Sequence, residues 1–331
     1  MIPSLDVPEV RFAVQAVRLA AEVVRQIQRE LAAQALIKGD RSPVTVADFA
    51  SQAVVAALLE QAFPNDVLVA EEDAAALRAP QGGALREQVV AYVRQRFPFA
   101  TPDQVLDWID RGRGDPGDRF WTLDPIDGTK GFLRGHQYAV ALALIHKGRV
   151  ELGVLACPNL QEARRQDPQG PGTLALAAQG LGAWWTEMRG TFLWEPLQVS
   201  PQGDLSQVRI LRSYESEHTN AEQIDALAAK LGVQVAPLRL DSQAKYVLLA
   251  AGEGEVYLRL LSPAQPEYKE KIWDQAAGSL LVQEAGGQVS DLDGKPLDFR
   301  TGRTLTANRG VLATNTVIHR AVLEALRQMG V

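Results

Sequence analysis

The chain has 331 residues, 46% of them hydrophobic and 22% charged, and a formal net charge of −6. That length exceeds one hydrophobic core and points to two packed subdomains, while no apolar run reaches membrane-spanning length and the negative balance excludes a broad basic nucleic-acid surface. The single Cys157 cannot form an internal disulfide, and His136, His146, His218 and His319 lack zinc-type spacing, so a reducing cytoplasm and a hard cation on oxygen ligands are expected.

In chain order, residues 9–37 carry Val10, Val14, Val17, Val24, Ile27 and Leu31 on the steps of an amphipathic helix. The first residues show no basic region before an apolar core, so no secretory signal is expected. Lys38-Gly39-Asp40-Arg41-Ser42-Pro43 breaks the helix, and a second is predicted over 45–63. A short buried strand over 67–70 delivers Glu71-Glu72-Asp73. Residues 74–110 read as helix with polar breaks and 111–118 as a loop. A strand over 120–123 runs into Asp124-Pro125-Ile126-Asp127-Gly128-Thr129, where a chain reversal is expected. Two hairpins follow, 138–146 with 150–156 and 174–178 with 183–186. From residue 197 the pattern becomes strand 208–211, helix 221–231, strand 233–236, helix 242–251, strand 256–260, helix 273–285 closed by Gly286-Gly287, strand 311–314 and helix 318–329. Helices mixed with strands in two halves, 1–196 and 197–331, predict a layered α/β architecture.

The chemistry concentrates in acidic residues. Asp124 and Asp127 flank a proline that fixes the backbone, and Gly128 permits a sharp turn. A helix starting near Thr129 would aim its free amides at the same place, so carboxylates for cations and donors for an anion converge within one short loop. Hydrolysis of a phosphate monoester needs both neutralised oxygens and an activated water. Each feature also has a plain structural reading. The loop is a turn, Glu71-Glu72-Asp73 a solvated loop, Asp274 a helix N-cap, and Asp48 with Thr45 a capping box.

Together the motifs carry a resemblance. Asp124-Pro-Ile-Asp-Gly-Thr129, with Glu71-Glu72 before it and Trp273-Asp274-Gln-Ala-Ala-Gly278 after it, resembles the inositol monophosphatase superfamily in order and spacing along nearly the whole chain. The one departure is Ala70, where the family usually has glycine. The resemblance implies a layered αβαβα sugar-phosphatase fold, two or three Mg²⁺ ions, and lithium sensitivity. It places metal ligands at Glu71, Asp124, the Ile126 carbonyl, Asp127 and Asp274, with Thr129 orienting the attacking water and Asp48 paired with that threonine. Asp241-Ser242-Gln243-Ala244-Lys245-Tyr246, Val256-Tyr257-Leu258-Arg259-Leu260 and Glu270-Lys271-Ile272-Trp273-Asp274 are similar to signatures of the 3'(2'),5'-bisphosphate nucleotidases. What this implies is hydrolysis of the 3'-phosphate of adenosine 3',5'-bisphosphate, with its sulfated relative as a second substrate, in a monomer or homodimer.

The cleaved phosphate would then meet the metals with Gly128 and Thr129 beside it, and the second phosphate would need Lys245, Arg259 and the Ser242 hydroxyl, with His218 on the nucleotide. The plain alternatives are a solvated Lys245, an Arg259 paired with Glu255 or Glu267, and a surface His218. Cys157 is expected to pack as a small hydrophobe. Rival activities are inositol phosphate or fructose 1,6-bisphosphate hydrolysis within the same superfamily, and a rival class is a non-catalytic nucleotide sensor.

Overall fold

The computed structural model describes residues 6–32, 42–190, 193–214, 220–262 and 265–331. Helix α1 (Pro8–Ile27) opens on a proline, whose missing N–H costs nothing in the first turn. It buries Val10, Ala13, Val17, Ala20, Val24 and Ile27 and continues through one π-helical turn, Gln28–Ala32. The rest of the helix expected over 9–37 lies outside the described residues. Helix α2 (Ser42–Ala62) packs along α1. Because it starts at Ser42, Thr45 lies inside the helix and cannot be its cap, so the capping-box reading of Asp48 fails. After β1 (Val67–Ala70) come α3 (Ala75–Arg78), α4 (Gly83–Arg94) and α5 (Pro102–Asp110). A true capping box starts α5: Thr101 Oγ1 accepts from the Gln104 N–H at 3.2 Å, and Gln104 Oε1 accepts from the Thr101 N–H at 2.8 Å.

β2 (Arg119–Asp127), α6 (Thr129–Leu133), β3 (Ala139–His146) and β4 (Arg149–Cys157) follow, then a small ribbon of β5 (Leu160–Gln161) and β6 (Arg165–Gln166) that the sequence reading missed. With β7 (Thr173–Ala178), β8 (Gly182–Glu187) and β9 (Glu195–Pro196) they build a seven-stranded sheet in the order β1-β2-β3-β4-β7-β8-β9. The two faces of β3 differ in size. Val140, Leu142 and Leu144 meet α1 and α2, whereas Ala139, Ala141 and Ala143 leave room on the other face. A helix closes in there: a Cβ on Gly153 of β4 would stand 2.9 Å from the Ala277 carbonyl oxygen.

The second half supplies β10 (Ile210–Arg212), α7 (Ala221–Leu231), β11 (Leu238–Arg239), α8 (Ala244–Ala250), β12 (Val256–Arg259), α9 (Ala276–Glu284), β13 (Gly287–Ser290), β14 (Val311–Asn315) and α10 (His319–Gln328). Its five strands run β11-β10-β12-β14-β13. α8 and α9 fill the space between the two sheets, and α7 and α10 cover the outer face. The layers are therefore α, β, α, β, α, as the resemblance implied. Cys157 ends β4, fully buried against the middle layer, where burial pushes its thiol up. No described helix is long and apolar enough to cross a membrane.

Three expectations are corrected. Residues 233–236 are not a strand, because Gly232 takes φ 73° and the Val233 N–H returns to the Ala228 carbonyl at 2.9 Å, closing α7. The strand comes instead at Leu238–Arg239. α9 starts at Ala276, so Asp274 is not its cap. Gly286-Gly287 ends α9 as expected, but Gly287 also opens β13, whose weakly apolar Gln-Val-Ser gave no strand signal.

Candidate active site

Parallel pairing of β1 with β2 sets Ala70 beside Leu123, so the next residues, Glu71 and Asp124, emerge at the same end of the sheet. The expected reversal at Asp124 does not occur. β2 runs through the motif to Asp127, and its register slips: Asp124 faces Ala141 but Asp127 faces Ala139. In a regular strand residues three apart point to opposite faces, and this extra residue lets both aspartates line one cavity. Ser51 on α2 holds the irregular stretch by donating to the Pro125 carbonyl at 2.9 Å. The reversal comes at Gly128, with φ 88°. A Cβ there would stand 2.9 Å from Ser242 Cβ. α6 does begin at Thr129 but is a single short turn, so its amides form a weaker anion site than the sequence suggested.

The cavity, of about 280 Å³, is lined by Glu71, Asp124, Ile126, Asp127, Gly128, Thr129, Ser242, Lys245, Arg259 and Asp274, all ten expected. It also takes in residues given no role above, among them Lys271, Tyr268, Tyr257 and Gln275. Asp48 on α2 is buried, and among the described residues its Oδ1 has no hydrogen-bond partner. Thr129 is exposed, and no hydrogen bond joins it to Asp48 among the described residues. The pairing implied by the resemblance is therefore not made here. His218 lies outside the described residues.

The acids are electrostatically strained. Burial, then the charges of Glu71, Asp127 and Asp274, hold the Asp124 carboxyl well above the usual carboxylate range. Asp274 is raised the same way, by burial and then by Asp127. Glu71 stands at the open mouth, yet protein crowds its carboxyl, and that desolvation with the Glu72 and Asp127 charges moves it up to about 7. Asp127 is raised by burial but relieved by Lys245, Arg259 and the Gln243 N–H, which donates to its Oδ2 at 2.6 Å. Asp48 is raised by burial, then by Glu72 and Glu71.

The cations Lys245 and Arg259 line the same cavity. Lys245 is not a solvated residue: it is 2% exposed, and its Nζ donates to Ser213 Oγ at 3.1 Å and the Leu240 carbonyl at 3.4 Å. Burial brings its ammonium down to about 8, against the pull of Asp127. Arg259 pairs with neither Glu255 nor Glu267 but with buried Glu270, at 3.0 Å. Ser242 holds φ 69°, a strained value for a side-chain-bearing residue, at the entrance to α8. Arg134 bonds Asp241, a residue of the cavity wall, at 2.6 Å and lies over Tyr214.

Sequence reading missed Ser51 and Gln52. Gln52 Nε2 donates to the Glu72 carbonyl at 2.6 Å, and its Oε1 accepts from the Glu72 N–H at 3.1 Å, fixing the chain just past Glu71. A signal was available: Asp48, Ser51 and Gln52 form a polar i, i+3, i+4 patch in the middle of a largely apolar helix.

The family model described as the inositol monophosphatase family matches residues 6–330. The chain belongs to the inositol monophosphatase family. It is 41% identical to a 3'(2'),5'-bisphosphate nucleotidase of Schizosaccharomyces pombe, over 96% of this chain and 94% of the relative. It is 40% identical to the 3',5'-bisphosphate nucleotidase 2 of Arabidopsis thaliana, over 97% and 96%. The fold is shared with solved inositol monophosphatases, one from Anabaena at 23% identity and TM-score 0.62, covering 96% of this chain and 94% of that one. Another, from Thermotoga maritima, has 18% identity and TM-score 0.64, with 97% and 98% covered.

For a member of this family the donor set suits a hard divalent cation. Glu71, Asp124, Asp127, Asp274 and the Ile126 carbonyl offer oxygen alone, and the raised carboxyls mark a site short of positive charge. Among the described residues no three such side chains close into a cation cage.

Proposed function

We propose that the chain is a Mg²⁺-dependent 3'(2'),5'-bisphosphate nucleotidase that removes the 3'-phosphate of adenosine 3',5'-bisphosphate, leaving AMP and phosphate, and that also accepts 3'-phosphoadenylyl sulfate. The observation that carries this is one cavity that joins four acids, Glu71, Asp124, Asp127 and Asp274, to the cations Lys245 and Arg259. A substrate with one phosphate for a metal and a second for cationic donors matches that composition. The names carried by the relatives at about 40% identity support it.

Glu71, Asp124, Asp127, Asp274 and the Ile126 carbonyl would hold two or three Mg²⁺ ions. Bound there, the metal would neutralise phosphate oxygens and lower the pKa of a water. The remaining work falls to the chain. Lys245 and Arg259, with the Ser242 hydroxyl, hold the 5'-phosphate, and His218 is proposed on the nucleotide. Gly128 lets the backbone approach, and the Thr129 hydroxyl orients the water. Asp48 is proposed as the terminal proton acceptor, as the resemblance implied, with a carboxyl whose proton affinity is raised by burial and then by Glu72 and Glu71. We place the protein in the cytoplasm, on its one buried cysteine. The division at 196/197 would separate a metal-binding half from a half that completes the substrate site.

The test is a phosphate-release screen in Mg²⁺ over adenosine 3',5'-bisphosphate, its sulfated form, inositol phosphates and fructose 1,6-bisphosphate. Preference for the nucleotides is expected. Faster release from an inositol phosphate would move the assignment within the family, and tight nucleotide binding without release would make the chain a sensor. Lithium chloride should inhibit.

A further inference from the structure

Arg303 lies in the long connection between β13 and β14 and crosses to the other sheet. Its Nη2 donates to the carbonyl of Ala70, the last residue of β1. Its Nη1 donates to the carbonyls of Gly112 at 3.2 Å and Gly114 at 3.3 Å, in the loop that flanks the free edge of β1. The same guanidinium lies over the Trp273 ring, 5.0 Å from its centre. The Arg303 backbone carbonyl accepts from the Ile272 N–H at 3.2 Å. Ala70 immediately precedes Glu71, and Trp273 immediately precedes Asp274. One side chain thus touches the residue before each of two site carboxylates that come from distant parts of the chain.

We propose that Arg303 is a positioning residue that sets Glu71 against Asp274 across the two halves of the molecule and so governs how tightly the site takes a divalent cation. The proposal rests on the reading of those two acids as cation donors. β1 is the edge strand of its sheet, and on the side away from β2 the 112–114 loop accepts from the Ala70 N–H at 2.8 Å and donates to the Leu68 carbonyl at 3.1 Å, which leaves the last carbonyl, that of Ala70, to Arg303. Gln52 anchors the chain after Glu71, and Arg303 anchors it before. Arginine is required by geometry. Its planar fork can donate in its own plane to three carbonyls while its face stacks on an indole, and a lysine ammonium can do only one of these well.

The test uses the full chain with Arg303→Met and Arg303→Lys. Mg²⁺ alone is titrated against melting temperature and tryptophan fluorescence, and Mg²⁺ half-saturation for phosphate release is compared with the nucleotide KM. Arg303→Met should raise the Mg²⁺ requirement about tenfold or more in all three readouts, with the nucleotide KM moved less than about twofold and Arg303→Lys in between. An unchanged Mg²⁺ requirement overturns the proposal, as does an equal rise in nucleotide KM, which would mean general loosening. Glu71→Gln separates the two levels. If it weakens the Mg²⁺ titration and Arg303→Met does not, only the positioning role falls. If Glu71→Gln changes nothing, the cation reading falls and takes this proposal with it. Should Arg303→Met fail to fold, Arg303→Gln, which keeps an amide donor but loses the cationic stack, is read by the same criteria.

Discussion

Lys245 should be held at a cost to stability, and replacing it with methionine should separate stability from function. The ammonium falls from 10.5 to about 8, a shift of about 2.5 units worth roughly 3 kcal/mol at neutral pH. The folded pKa is below the unfolded one, so the penalty is fully present below about pH 8 and disappears as pH rises through 10.5. Methionine fills similar volume without the charge but leaves Ser213 Oγ and the Leu240 carbonyl without a donor, each worth about 1 kcal/mol. The net expectation is a gain of about 1–3 kcal/mol, or a few degrees in melting temperature, at pH 7. Activity should fall in a specific way. KM for adenosine 3',5'-bisphosphate should rise by about tenfold or more, as for loss of a charged hydrogen bond, while turnover of 3'-AMP, which lacks the second phosphate, should change little. Urea denaturation at pH 7 and steady-state kinetics on the two substrates decide it. A variant destabilised by more than about 1 kcal/mol, or equally impaired on both substrates, would refute the reasoning.

Asp124→Asn should abolish Mg²⁺-dependent turnover yet raise the melting temperature in EDTA, since it removes one of several mutually repelling buried carboxylates. Near-full activity in Mg²⁺ would sink the metal assignment. Gly128→Ala should cost about 1–2 kcal/mol for the left-handed backbone alone, and more from the 2.9 Å approach to Ser242 Cβ, with activity lost first. Equal melting temperature and activity would show that the turn is not required. His319, buried between Ser290 Oγ at 2.9 Å and Thr314 Oγ1 at 2.8 Å, is lowered from 6.5 to about 4 by burial. The unfolded chain therefore binds the extra proton first, and up to about 3 kcal/mol should be lost as pH falls from 6.5 toward 4. Urea midpoints should show that loss in the native chain and a shallower one in His319→Gln.

Much of the molecule was legible in local pattern. The long hairpin of β3 and β4, the stop at Gly286 and the helix start at Thr129 each depend on residues within a turn or two, where period and backbone preference act directly. The order of Glu71, Asp124-to-Thr129 and Asp274 was enough for the family, because each motif is a contiguous run of residues that can be read without knowing what it packs against. Short, weakly apolar strands such as β11 and β13 escaped, since they are strands only by pairing with neighbours.

What sequence alone determined, then, is which oxygen donors and cations this protein owns and on which elements they ride. Tertiary structure decided how they face one another. The slipped register in β2 puts Asp124 and Asp127 on one cavity, Glu270 rather than a nearer acid takes Arg259, Lys245 is buried instead of solvated, and Arg303 reaches across to Ala70 and Trp273. The physical reason is the same in each case. A side chain's type sets what it can bond, but burial, charge balance and partners far along the chain are set only when the two sheets close over the middle helices.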